Sequence, residues 1–109
     1  MAGDSMDFSE YQLKASRTAI YPKEYRIFYP CLGLSAEVGE LNNKVKKKMR
    51  DNAVLNKEDM EGEIGDVLWY LSQVANDLDL SLDEIAKKNI EKLASRMKRG
   101  VIKGSGDNR

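Results

Sequence analysis

The stretch "LSAEVGEL", residues 34–41, joins apolar residues at helical spacing to two acids. Glu37 and Glu40 stand three positions apart, and a carboxylate beside a packed helix face needs a partner. The apolar positions fall within about 60° of one another around a helix, so they form one stripe. That stripe predicts a helix over residues 31–50 and consists of Leu34, Val38, Leu41 and Val45.

The rest of the chain predicts three further helices. Both prolines, Pro22 and Pro30, precede a long proline-free stretch that reaches Gly100. Asn56 and Ser81 are good N-cap residues, and an acid follows each of them by three positions. Strand-like alternation of useful length is absent from the sequence, so the fold class is all-α. The additional helices are predicted over residues 7–20, 56–79 and 81–100.

The length and composition of the chain fit one small domain. A chain of 109 residues suits a single domain over residues 7–109, with residues 1–6 as a disordered N-terminus or a remnant of expression. Because so short a chain buries only a modest core, self-association is expected. Eighteen basic and eighteen acidic residues cancel, which argues against binding to nucleic acid or to an anionic membrane. Without an apolar signal core, the protein is expected to be cytoplasmic.

The chain contains no histidine and only one cysteine. This composition excludes Ser-His-Asp and Cys-His catalysis, histidine-containing zinc sites, and the Glu-x-x-His pattern of di-iron bundles. It also excludes an internal disulfide. Any chemistry must therefore use carboxylates, lysine, arginine, tyrosine or a metal ion.

A second acidic stretch repeats the first. In "GEIGDV", residues 62–67, Glu63 and Asp66 match Glu37 and Glu40. Both pairs lie on the same flank of their apolar stripes, and the short connection between the helices predicts an antiparallel pair. In an antiparallel pair, the flanks that carry the acids lie on the same side of the two helices, and the two acid pairs lie at a similar position along the helix axes. Four carboxylates are therefore expected to converge.

Four convergent carboxylates raise one another's pKa values unless a cation compensates them. Oxygen ligands without histidine or thiolate favour Mg²⁺, with Mn²⁺ as a substitute, and Mg²⁺ held by few carboxylates usually also binds substrate phosphates. The alternative interpretation is a solvated helix edge whose acids form salt bridges with lysines.

Polar and cationic side chains elsewhere in the chain are candidates to complement such a site. Asn89, Lys92 and Arg96 share one face of the fourth predicted helix, which is either a solvated surface or a phosphate-binding face. Tyr70, one turn after Asp66, is either a packing residue or a sugar or base contact. The basic run at residues 44–50 is interpreted as ordinary solvated surface.

The pattern E-x-x-E followed by E-x-x-D resembles that of the all-α MazG-like nucleoside triphosphate pyrophosphohydrolases. The likeness extends over most of residues 7–109 and includes the ending "NIEKLASRMKRGVIKGSGDNR". It implies a helical-bundle homodimer or homotetramer that cleaves nucleoside triphosphates between the α- and β-phosphates, in nucleotide-pool cleaning. It further implies metal binding by the acids and substrate binding by Tyr70 and the fourth-helix residues, listed together as Glu37, Glu40, Glu63, Asp66, Tyr70, Asn89, Lys92 and Arg96.

The suggested reaction is in-line attack on the α-phosphorus by a water that Mg²⁺ activates and Glu37 orients. Two other functions are compatible with the sequence. One is a helical interaction module without catalysis, which would respond little to magnesium. The other is a regulatory domain that binds nucleotides without turnover.

Overall fold

The computed structural model describes residues 5–109, and across that part of the chain it contains four α-helices and no strand. The predicted all-α class is confirmed. The expectation for residues 1–6 falls partly on residues 1–4, which lie outside the described part. The helices are α1 (Phe8–Ser16), α2 (Phe28–Asp51), α3 (Lys57–Asp77) and α4 (Leu82–Arg99), with a 3-10 turn at Lys23–Tyr25.

Side chains and glycine fix the helix ends that the sequence predicted. The Asn56 side-chain oxygen accepts hydrogen bonds from the amides of Glu58 and Asp59, at 2.9 and 3.2 Å. The Ser81 hydroxyl caps α4 in the same way. Gly100 ends α4 with a φ of 75°, a left-handed conformation that glycine adopts without steric cost. These local signals therefore determine where α3 and α4 begin and where α4 ends.

The boundaries of α1 and α2 differ from the prediction. α1 ends at Ser16 instead of continuing to Ile20, and α2 begins at Phe28 instead of residue 31. Pro30 lies in the first turn of α2, where its missing N–H removes no intrahelical hydrogen bond. The proline is therefore part of the helix and does not precede it.

The helices pack in pairs: α2 against α3, and α1 against both α3 and α4. Gln12 connects α1 to the end of α3 and the turn that follows it. Its amide nitrogen donates to Asn76 at 2.8 Å and to the Leu80 carbonyl at 2.7 Å. Its amide oxygen accepts from the Leu82 backbone at 2.9 Å. The turn between α3 and α4 is thus held by one buried glutamine.

Most large apolar side chains remain exposed in the single chain. Among the described residues, the buried apolar side chains are Ala15, Pro30 and Ala75, whereas Leu32 and Met97 are 74% and 67% exposed. The accessible surface is 8444 Å². A compact monomer of this mass exposes about 6,100 Å². The chain therefore exposes about 2,300 Å² more than a self-sufficient monomer would. None of the described helices is long and apolar enough to cross a bilayer.

Candidate metal centre

Three of the four predicted acids meet between α2 and α3. Glu37, Glu63 and Asp66 each offer one carboxylate oxygen, and these oxygens all lie within 4.8 Å of one another. Glu40, one turn further along α2, is not part of this group, although its charge contributes to raising the pKa of Glu37. We call Glu37, Glu63 and Asp66 the acidic cluster.

The two oxygens of Glu63 have different surroundings. Oε1 lies 3.2 Å from the Lys44 ammonium nitrogen, and the Glu63 side chain is only 16% exposed. Oε2 is buried and has no hydrogen-bond partner among the described residues. Leaving a buried acceptor unsatisfied costs about 1–3 kcal/mol. A hard divalent cation shared with Glu37 and Asp66 would satisfy this oxygen, so the donor set fits Mg²⁺ or Mn²⁺.

The electrostatics of the cluster also favour a cation. Desolvation raises the pKa of Glu37, and the negative charge of Asp66 raises it further. The hydrogen bond that a protonated Glu37 can donate to Glu63, and the charges of Glu63 and Glu40, act in the same direction. Like charges brought together in this way disfavour ionisation, which a bound divalent cation would restore.

Two tyrosines border the cluster. Burial raises the pKa of Tyr70, and the neighbouring Tyr29, Glu37 and Asp66 raise it further. Tyr11 of α1 likewise has its pKa raised by burial and then by Asp66. The structure therefore places Tyr70 beside the acids, as a substrate contact requires. Nothing in the local sequence pattern of α1 indicates that Tyr11 lies near an acid on α3.

The fourth-helix residues have other partners in the single chain. Lys92 donates to Asp107 Oδ1 at 2.6 Å, and Arg96 donates to the same oxygen at 3.1 Å and to the Asp107 carbonyl at 2.6 Å. Asn89 is exposed. Within the described chain, no hydrogen bond or ion pair joins these three residues to the acidic cluster. The structure does not bring them together with the acids.

Lys44 is the functional candidate that sequence reasoning missed. It belongs to the basic run interpreted as solvated surface, yet its ammonium contacts Glu63. One signal was available: Lys44 follows Glu37 by seven residues, about two helical turns, so both lie on one face of α2. The neighbouring lysines concealed that relationship.

These features define an all-α domain with a carboxylate cluster suited to a hard divalent cation. The chain belongs to the MazG nucleotide pyrophosphohydrolase domain family, whose sequence model matches residues 31–101. The matched segment contains the acidic cluster, Glu40 and Lys44. Membership of the family supports nucleotide pyrophosphohydrolase activity in general.

Two relatives are similar to much of the chain. The Gene 37 protein of Mycobacterium phage L5 is 48% identical over 109 residues, which cover 91% of this chain and 96% of the relative. The YpjD protein of Bacillus subtilis (strain 168) is 40% identical over 68 residues, or 60% of this chain and 61% of the relative. Neither name states an activity. No solved structure matches the chain.

Proposed function

We propose that this protein hydrolyses ribo- or deoxyribonucleoside triphosphates between the α- and β-phosphates, with Mg²⁺ as cofactor and Mn²⁺ as a substitute. The products are a nucleoside monophosphate and pyrophosphate, and the role is cleaning of the cytoplasmic nucleotide pool. The observation that carries the proposal is the acidic cluster of a MazG-family chain, in which a buried oxygen of Glu63 lacks a partner.

Glu37, Glu40, Glu63 and Asp66 would hold the metal. Glu40 would join the three clustered acids directly or through a water, since it lies one turn along α2. A bound Mg²⁺ supplies polarisation of the phosphate oxygens and a lower pKa for a bound water. The acids in turn fix where the phosphates are presented.

Glu37 orients the attacking water and accepts its proton. As the oxygen of that water bonds to the α-phosphorus, the bond from this phosphorus to the bridging oxygen breaks, and its electron pair leaves with pyrophosphate. Tyr70 contacts the nucleoside. The nucleotide is contacted from α4 by Asn89, Lys92 and Arg96. These contacts require the Asp107 carboxylate to move away from Lys92 and Arg96.

The order of contacts along α2 and α3 supports an antiparallel pair. Gly33 faces Tyr70, Glu37 lies near Asp66, and Lys44 pairs with Glu63. Residue numbers thus rise along α2 as they fall along α3. Such a pairing keeps the acids of the two helices at one height, as a shared metal requires.

Assembly into a homodimer or homotetramer is part of the proposal. A standard interface removes about 800 Å² from each partner. The surplus of about 2,300 Å² in the single chain is large enough for an extensive interface. Exposed apolar residues on all four helices, among them Leu13, Leu32, Ile64 and Met97, supply apolar surface for it.

The decisive experiment incubates the protein with standard and modified nucleoside triphosphates and Mg²⁺, and measures monophosphate and pyrophosphate. Asp66→Asn and Glu40→Gln remove candidate metal ligands, and we expect each to reduce turnover at least about 100-fold. Glu61→Gln is the matched control, because Glu61 is exposed on α3 and outside the cluster. Turnover that survives Asp66→Asn would refute the site. Nucleotide binding without turnover would instead identify a regulatory module.

A further inference from the structure

A cleft of about 180 Å³ lies where the end of α2 meets the start of α3. Three lysines line it, together with a short apolar segment and the N-cap region of α3. We propose that this cleft binds the β- and γ-phosphates of the nucleotide, an inference that rests on the proposed function. We call it the lysine cleft, and its lining residues include Lys44, Lys47, Lys48, Leu55, Asn56 and Asp59.

Lys44 connects the cleft to the acidic cluster. Its side chain lines the cleft, and its ammonium nitrogen lies 3.2 Å from Oε1 of Glu63. A phosphate chain that extends from a metal held by Glu63 would therefore lie next to the cleft. Tyr70 lies toward the other end of the cluster, opposite Gly33. The nucleotide would thus have one direction, with its nucleoside toward Tyr70 and its polyphosphate toward Lys44.

The charge of the cleft suits a polyphosphate. Three lysines face one carboxylate, Asp59, and neither Lys47 nor Lys48 forms an ion pair within the described chain. Two cations of the cleft are therefore left to bind an anion, while the third is shared with Glu63.

The Lys44–Glu63 contact couples the cleft to metal binding. A divalent cation held by Glu63 would repel the Lys44 ammonium, which contacts the same carboxylate. A phosphate group placed between the two cations offsets this repulsion and gives Lys44 a new partner. Metal and polyphosphate should consequently bind cooperatively. Lys44 should therefore weaken metal binding in the absence of phosphate and strengthen the joint binding of metal and phosphate.

Calorimetry with inorganic pyrophosphate in excess Mg²⁺, and separately with Mn²⁺ alone, tests this inference without requiring turnover. Lys44→Met should weaken pyrophosphate binding about tenfold or more, since a hydrogen bond between charged groups is lost. It should leave Mn²⁺ affinity equal to or higher than that of the wild type. Lys46→Met is the matched control, because Lys46 is exposed on α2 and does not line the cleft. Lys44→Arg should restore most of the binding.

The outcomes of these titrations distinguish failure of the inference from failure of the proposed function. A wild-type protein that binds neither Mn²⁺ nor Mg²⁺ would overturn the proposed metal centre, and the inference with it. Metal binding with equal pyrophosphate affinity in Lys44→Met and Lys46→Met would overturn the inference alone. So would a tenfold loss in Lys92→Met with none in Lys44→Met, because the polyphosphate would then lie against α4. An equal loss of Mn²⁺ and pyrophosphate affinity in Lys44→Met would show a merely structural role.

Discussion

Gly33 of α2 faces the ring of Tyr70 of α3 so closely that a Cβ at position 33 would lie 2.7 Å from Cδ1 of that ring. Real Cβ atoms essentially never approach another heavy atom this closely. The absence of a side chain at Gly33 therefore lets Tyr70 lie against α2 beside the acidic cluster. A residue outside the acid motif thus fixes the position of a candidate substrate contact.

Gly33→Ala should displace the Tyr70 ring and destabilise the protein by about 1–3 kcal/mol through overpacking. It should also weaken nucleotide binding, because Tyr70 no longer occupies its place beside Glu37. Denaturant unfolding and nucleotide titration measure the two effects. Gly62→Ala is the control: a Cβ there meets no atom within 4 Å, so helix propensity alone should stabilise it by up to about 1 kcal/mol. Equal stabilities of the two variants would contradict the packing role of Gly33.

The raised pKa of Glu37 predicts how stability depends on pH without metal. The folded protein holds the Glu37 proton to a higher pH than the unfolded chain, whose glutamate has its ordinary pKa of 4.5. Above pH 4.5 the folded state therefore binds more protons, so this contribution to the free energy of unfolding decreases as the pH rises. Glu37→Gln should remove this decrease, as chemical denaturation from pH 4 to pH 7 in the presence of a chelator would show.

Saturating Mg²⁺ should reverse the effect in the wild type, because a bound cation favours the ionised carboxylates. It should have little effect on Glu37→Gln. The comparison of wild type and variant isolates Glu37 from acids such as Asp107, whose pKa Lys92 and Arg96 lower. Identical pH profiles for the two proteins without metal would contradict the crowding of charges described for the cluster.

Asp77 is predicted to hold the segment that leads into α2. One of its oxygens accepts hydrogen bonds from the Tyr21 hydroxyl and the Ile27 amide, both at 2.8 Å. Ile27 has a φ of 69°, which is strained for a β-branched residue. Asp77→Ala should therefore destabilise the protein by about 2–4 kcal/mol, since it leaves these donors without a partner. Unfolding in denaturant measures this loss.

Tyr21 provides a second measurement at the same place. Burial raises the pKa of its phenol, and the hydrogen bond to Asp77 raises it further. Asp77→Asn keeps the shape of the side chain and removes its charge, so it should lower the pKa of Tyr21. Phenolate absorbance during an alkaline titration reports the change. An unaltered titration would show that Asp77 does not bind Tyr21 in solution.

Gly39 is predicted to lie where another subunit approaches α2. A Cβ at position 39 would have no atom of its own chain within 4 Å, so the single chain has room for a larger side chain there. Gly39→Leu should therefore disturb assembly before it weakens metal binding, and Gly39→Ala should have a smaller effect. Light scattering and Mn²⁺ titration measure the two properties. Loss of metal affinity with the assembly intact would show that Gly39 acts within one chain.

The sequence predicts best what neighbouring residues decide. The caps at Asn56, Ser81 and Gly100 depend on hydrogen bonds and backbone preferences within a few residues. The meeting of Glu37 with Glu63 and Asp66 follows from helical periodicity and a short connection. Each of these relationships needs only one helix or one helix pair.

Other parts of the site depend on contacts between distant residues. The pairing of Lys92 and Arg96 with Asp107 requires the last residues to fold back onto α4, which no periodic pattern encodes. Lys44 lies in a run of lysines, and its contact with Glu63 depends on the packing of α2 against α3. Proline is tolerated both in the first turn of a helix and just before it, so the sequence alone does not show that Pro30 lies inside α2. Sequence periodicity reveals neither the Asp107 contacts nor the place of Pro30, and for Lys44 it indicates only the shared face with Glu37.

The surplus of exposed surface has a consequence for any measurement on this protein. If partner subunits cover that surface, folding and association are one equilibrium, and the law of mass action governs both. The melting temperature should then rise with protein concentration, whereas that of an independent monomer would not change. Dilution alone would shift the population toward unfolded chains. Variants in the acidic cluster have to be compared with the wild type at one fixed concentration of subunits.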